Sequence, residues 1–259
     1  MKKVKVVIPI YREMLPEFEL KALCNTLKVL ERYDMTFVVP ESLCLDGLRS
    51  QFDIDKYQIV GVTSEWLGKK NGIQGYNNMM LSKDFYMLFN DVDYILICHT
   101  DAYIFRDELD YWCDKNYDYA AAPWPKRSMY NVPLIRHYMQ FRNKVFRFNG
   151  SMLRQDLFNR VGNGGLSLRN VANFISACDS YKEEIKLFCS KKHHLYNEDV
   201  FWATVPTEFV YPTIDEALRF SFDVKPEFCY KLSGNKLPFG CHGITQERIY
   251  KFWRDIIKL

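Results

Sequence analysis

The sequence predicts an α/β fold, with a mostly parallel central sheet flanked by helices in a single compact domain spanning 1–259. Two observations lead there. Short apolar runs, rich in β-branched residues, alternate over the first hundred residues with stretches whose apolar residues recur at helical spacing. Strands that alternate with helices imply right-handed crossovers and parallel pairing. The length permits it: 259 residues, 48% hydrophobic and 16% aromatic, can bury a sizeable core and are too apolar for disorder.

The elements follow in order. Val4 to Ile10 is a near-continuous β-branched run around Pro9, as expected of a strand buried on both faces. The chain starts basic and then apolar, like a secretion signal, but the apolar run is short and no small-residue cleavage site follows, so it reads as the first strand. Pro16 to Tyr33 carries Phe18, Leu20, Leu23, Leu27 and Leu30 at helical spacing. Met35 to Val39, closed by Pro40, and Tyr57 to Val62 are further strands. Tyr76 to Phe89 predicts a helix, and Tyr94 to Cys98 the next strand. The second half is less regular. Asp118 to Ala122 predicts a strand closed by Pro123-Trp124-Pro125, whereas 126–148 has no clear period. A glycine-dense turn, 161–165, leads into Leu166-Ser167-Leu168-Arg169. Asn170 to Phe188, Asn197 to Val205, Ile214 to Phe222 and Gln246 to Leu259 predict helices, and Leu237 to Gly243 a loop.

Composition narrows the function. A net charge of +3 is too small to argue for a nucleic-acid partner. No run of 18 uninterrupted apolar residues predicts a membrane-spanning helix. Eight cysteines stand without a CxxC pair, which argues against a four-cysteine zinc site and fits reduced thiols in a cytoplasm.

Five segments could carry chemistry. His99-Thr100-Asp101 ends the apolar run 94–98, and in parallel sheets ligands bind at the carboxyl ends of strands. A carboxylate there suits Mg²⁺ or Mn²⁺; equally, Asp101 could cap a turn and His99 pack. Gly164 and Gly165 in "VGNGGLSLR" let backbone approach a ligand, or make a tight turn. Glu198 and Asp199 in "NEDVFW" could serve as a general base, or cap a helix behind Asn197. His242 in "LPFGCHGI" is a ligand or a packed histidine. The basic, aromatic segment holding Lys126, Arg127, Arg136, His137, Arg142, Lys144 and Arg147 reads as a solvated loop unless it folds over a site.

In register, "VVIPIYRE", "HTDAYIFRDEL…YWC", "GNGGLSLR", "NEDVFW" and "LPFGCH" resemble the GT-A glycosyltransferases, most closely a bacterial glycosyltransferase-like family. The resemblance covers nearly the whole chain. It implies a GT-A, Rossmann-like fold whose first half (about 1–125) binds a nucleotide sugar and whose second (about 126–259) binds the acceptor. It further implies a metal-dependent transfer from a nucleotide-sugar donor, expected to be UDP-linked, to a hydroxyl of a glycan or lipid-linked saccharide, in surface polysaccharide synthesis. Asp101 matches the last aspartate of the DxD motif that holds Mn²⁺ or Mg²⁺; His99 stands where the first aspartate would be. His242 resembles the histidine completing the metal shell, Gly164 and Gly165 the floor under the donor sugar, and Asp199 with Glu198 the carboxylate base of inverting enzymes. Pro9, Ile10, Tyr11 and Glu13 fall where the nucleoside sits, with Asn77 and Thr100 as further donor contacts. The basic segment and the C-terminal helix would also suit loose contact with the inner face of a membrane, but a helix packed on the domain with its charges in water is the favoured explanation of the same pattern. Two rival readings are a sugar nucleotidyltransferase, disfavoured because no glycine-rich basic loop follows the first strand, and a non-catalytic binding protein that kept the fold.

Overall fold

The computed structural model describes residues 2–146 and 152–257. A six-stranded sheet has the order β3-β2-β1-β4-β7-β6, from β1 (Val4–Pro9), β2 (Asp34–Pro40), β3 (Gln58–Val62), β4 (Tyr94–Cys98), β6 (Tyr119–Ala121) and β7 (Leu166–Asn170). β3, β2, β1 and β4 are mutually parallel, and β7 runs antiparallel to both β4 and β6. A smaller sheet joins β5 (Tyr103–Ile104), β9 (Gly240–Cys241) and β8 (Ser221–Phe222) in that order.

Strand alternation divides the core between the two faces of the large sheet. Val6, Ile8, Leu96 and Cys98 pack with α1 (Glu17–Val29), α2 (Asp46–Gln51) and α5 (Leu109–Asp114). Val7, Val38, Ile95 and Ile97 face α3 (Gly72–Met80), α4 (Lys83–Met87), α7 (Val171–Ser180) and α9 (Glu198–Thr204). A third cluster around Trp253 joins α10 (Ile214–Phe220), α11 (Pro226–Leu232) and α12 (Glu247–Trp253) to the small sheet. Two helices complete the fold: α6 (Pro133–Phe146) and α8 (Lys182–Ser190).

Several expected elements differ, each for a local reason. The helix expected over 76–89 is two: Leu81 leaves helical geometry, and Ser82 Oγ caps α4 by accepting from Asp84 N at 3.2 Å. The helix expected over 170–188 likewise breaks at Tyr181. Ser221 and Phe222, expected at a helix end, pair with Gly240 and Cys241, within the loop expected over 237–243. The aperiodic 126–148 segment contains α6; Arg147 and Phe148 lie outside the described residues. The terminal helix closes at Trp253, before the described residues end at Ile257.

Candidate active site

The chain leaves β1 toward β2 and β3 on one side, and leaves β4 toward β7 on the other, so strand order reverses between β1 and β4. Loops diverge at such a point and open a crevice at the carboxyl ends. A cleft of about 380 Å³ lies there. Pro9, Ile10 and Tyr11 line it from the end of β1, and His99, Thr100 and Asp101 from the end of β4. Leu67, Gly68 and Tyr76 form the opposite wall, and His242 closes the floor.

His99, Asp101 and His242 each offer a ligand atom, and these atoms all lie within 4.8 Å of one another. Three backbone bonds fix them. His99 N donates to Gly165 O (2.8 Å), His242 N to Phe222 O (3.1 Å), and Ile244 N to Asp101 O (3.3 Å). The bonds draw on β7, β8 and the loop after β9, so the two-residue strands of the small sheet serve to bring His242 to the end of β4. Gly165 makes the approach possible: a Cβ there would overlap the His242 imidazole.

Each ligand candidate has an orienting partner. Tyr76 OH and His99 Nε2 are 2.7 Å apart. His242 Nε2 lies 3.2 Å from Asp101 Oδ1, and its Nδ1 lies 3.6 Å from Asp223 Oδ1, too far for a direct hydrogen bond. Burial, helped by the neighbouring His242, pushes His99 down to about 3, so its imidazole is neutral and its lone pair available. Burial works against ionised Asp101, yet the charge and hydrogen bond of His242 outweigh it and hold the carboxyl well below its usual range. Burial equally opposes protonated His242, and Asp101 and Asp223 more than offset it, so a cation bound at its Nε2 would displace that proton. Two imidazoles and a carboxylate, one histidine backed by a second carboxylate, form a donor set that fits a divalent ion such as Mn²⁺, with Asp223 as outer-shell support. Among the described residues, the buried His242 Nδ1 and Asp223 Oδ1 have no hydrogen-bond partner.

A second polar chain crosses the cleft. Glu19, on the inward face of α1, accepts from Thr100 Oγ1 (2.7 Å) and from Arg12 Nη1 (2.7 Å). Arg12 keeps its guanidinium half in solvent beside the Tyr11 ring.

Beneath the floor, Arg169 is fully buried. It donates to both oxygens of Glu198 (3.2 and 3.0 Å), to Tyr86 OH (2.7 Å) and to Ser167 Oγ (3.0 Å). Burial disfavours its charge, and Glu198 restores it. Gly164 lies against this pair, for a Cβ there would land on Glu198 Oε1. Asn77 anchors α9 from its N-terminal end: its Oδ1 accepts from Glu198 N (3.1 Å) and its Nδ2 donates to Asn197 Oδ1 (3.1 Å). The next residue, Asp199, is only partly buried, and its Oδ1 accepts from Val200 N at 2.9 Å. Burial pushes its carboxyl up to about 7, with the charge of Glu198 and then that of Asp223 adding to the shift.

The structure therefore brings His99, Thr100, Asp101, His242, Pro9, Ile10 and Tyr11 to one cleft, with Gly165 supporting it. Glu13 is exposed and Asn77 buried, and neither lines that cleft. Glu198 and Asp199, adjacent in sequence, face different surroundings. Sequence reasoning missed Arg12, Glu19, Tyr76 and Asp223. Glu19 left a trace, since it falls in the same helical stripe as Leu23 and Leu27. Asp223 left none, because only the β8–β9 pairing brings it beside His242.

Residues 56–242 match the family described as "Protein of unknown function (DUF5672)". The chain belongs to this family. No curated protein matches its sequence. Solved structures of glycosyltransferases share its fold. An active-site mutant of LgtC aligns with TM-score 0.55 at 12% identity, over 92% of this chain and 86% of that one. The glycosyltransferase GlyE of Streptococcus pneumoniae TIGR4 aligns with TM-score 0.52 at 13% identity, over 98% of this chain and 60% of GlyE. Mouse xyloside xylosyltransferase 1 aligns with TM-score 0.50 at 11% identity, over 93% and 97%. The mixed α/β domain with its mainly parallel sheet is thus that of the GT-A glycosyltransferases.

Proposed function

We propose that this family member is a glycosyltransferase moving a sugar from a nucleotide-sugar donor to a hydroxyl of a glycan or lipid-linked saccharide, with inversion. The observation that carries the reading is the convergence of His99, Asp101 and His242, from three separate segments, on the switch-point cleft of this sheet. A divalent cation held by those three would neutralise the charge that develops on a departing nucleoside diphosphate.

The chain's own groups supply the rest. Pro9, Ile10 and Tyr11 form a shelf of backbone and ring for the nucleoside. Arg12, steered by Glu19, presents a cation at the cleft edge for a phosphate oxygen. Gly164 and Gly165, expected as a floor under the donor sugar, instead give up their side-chain space to Glu198 and His242, so that these can pack against the backbone below the cleft. Asp199, poised near neutrality, takes the proton of the attacking hydroxyl. Glu198 serves as the pivot that holds α9, and hence Asp199, against Arg169. The DxD-like position thus works as His-x-Asp, with His99 a neutral ligand oriented by Tyr76.

The test is turnover. Purified protein with Mn²⁺ and a panel of sugar nucleotides, beginning with UDP sugars, should release nucleoside diphosphate, faster when a saccharide acceptor is present. Asp199→Asn should lower the rate by roughly 10²–10⁴, the usual worth of a positioned base, while leaving nucleotide binding intact. Metal-dependent nucleotide binding with no turnover on any donor would point instead to a binding protein that kept the fold.

A further inference from the structure

We propose that α6, with the turn before it, is a docking surface for an anionic lipid bilayer. Its sequence is Pro133-Leu-Ile-Arg-His-Tyr-Met-Gln-Phe-Arg-Asn-Lys-Val-Phe146. Half-buried Ile135, Met139 and Asn143 form the side that packs on the domain, and Gln155 Nε2 reaches Met139 Sδ at 3.6 Å. A helix of a soluble domain normally has one apolar stripe and buries it. This one has a second, turned outward: Leu134 is 81% exposed, Tyr138 62%, Phe141 69% and Val145 56%. At about 100° per residue these four fall within roughly 60° of arc. Met129 and Val132, each 48% exposed, continue the apolar surface into the preceding turn. Six of the large apolar residues exposed in the described structure thus fall within 129–145, which is a concentration and not scatter.

The charge around the stripe says what covers it. By the same helical geometry Arg142 flanks it on one side, and His137 and Lys144 on the other, all exposed. From residue 119 to residue 155 the sequence holds seven lysines and arginines and no aspartate or glutamate. An apolar stripe with aromatic rings, bordered by cations on its own helix and with no acid within that helix, matches an interface of acyl chains beneath anionic headgroups. A second copy of the chain would place cations against cations, which opposes self-association through this face. The occupant that satisfies both the stripe and its border is the lipid surface.

The experiment is co-sedimentation of the full chain with vesicles of phosphatidylcholine alone and of phosphatidylcholine mixed equally with phosphatidylglycerol. The expected result is binding to the mixed vesicles, weakened by salt, with much less on the neutral ones. Lys144→Glu should lower partitioning at least about fivefold for the lost cation. Leu134→Ala with Phe141→Ala should lower it by roughly tenfold or more for the lost apolar area. Because these side chains are largely exposed, unchanged circular dichroism and melting temperature should accompany the loss. No binding, equal binding to neutral vesicles, or binding untouched by the variants would overturn the proposal. So would wild-type self-association in sedimentation velocity that the same variants abolish, or preferential capture by a soluble acidic polypeptide competing in the vesicle assay.

Discussion

The guanidinium of Arg169 sits among Tyr86, Tyr119 and Phe174 with Glu198 as its counter-charge, so neither partner of the pair can be removed alone without stranding the other. Breaking such a buried pair from one side costs about 3–5 kcal/mol. Arg169→Met should therefore lower the unfolding free energy by that order in urea titrations, far more than any exposed pair such as Lys231–Glu227. Asp199 predicts the opposite sign. Its carboxyl is raised to about 7 by burial, so between about pH 4, where an unfolded aspartate ionises, and 7 the folded chain holds a proton that the unfolded chain has released. Its contribution to stability is therefore present at low pH and lost as pH rises toward 7. Asp199→Asn removes this decline, and the melting temperature of the variant relative to wild type should climb between pH 5 and 8. If Asp199 is the base, wild-type turnover should rise with pH through the same region and level off above it.

Elements carry the site by converging, and α9 shows how. Its first turn is held by Asn77 of α3 through two hydrogen bonds, and its carboxylate by β7 through Arg169. Asn77→Ala should cost about 1–3 kcal/mol, because Glu198 N and Asn197 Oδ1 are left wanting partners in a buried place. Chemical denaturation checks it. Gly165→Ala should act elsewhere. Its methyl group would displace His242 while leaving the sheet paired, so divalent-metal affinity should fall sharply with a much smaller stability loss. How well these elements can be read from sequence depends on what makes them. β1, β2 and β4 are buried on both faces, and uninterrupted apolar runs announce them, whereas β3 at the sheet edge is only partly buried. α6 was illegible because two apolar stripes, Ile135–Met139 inward and Leu134–Tyr138–Phe141–Val145 outward, blur any single period. β8 and β9 were illegible because two-residue strands exist only through pairing partners 19 residues apart in the chain.

At the scale of the molecule, the reversal of strand order between β1 and β4 explains why the segments "VVIPIYRE" and "HTD" are neighbours although 85 residues separate them. His99 and Asp101 were legible as a strand end, and His242 only through the family resemblance. Glu198 was legible as a carboxylate but not as the partner of Arg169, because a long-range ion pair leaves no local spacing. The central claim is a divalent-metal site that binds a nucleoside diphosphate, and a thermal-shift screen addresses it directly. UDP, GDP, CDP and dTDP would each be tested with and without Mn²⁺, on wild type and on Asp101→Ala. A ligand that binds only the folded state adds about 2.7 kcal/mol at roughly 100 times its Kd, which a melting curve resolves. The prediction is a rise in melting temperature for one nucleotide that requires Mn²⁺ and vanishes in Asp101→Ala. A rise that persists without metal or in Asp101→Ala, or no rise with any nucleotide, would contradict it.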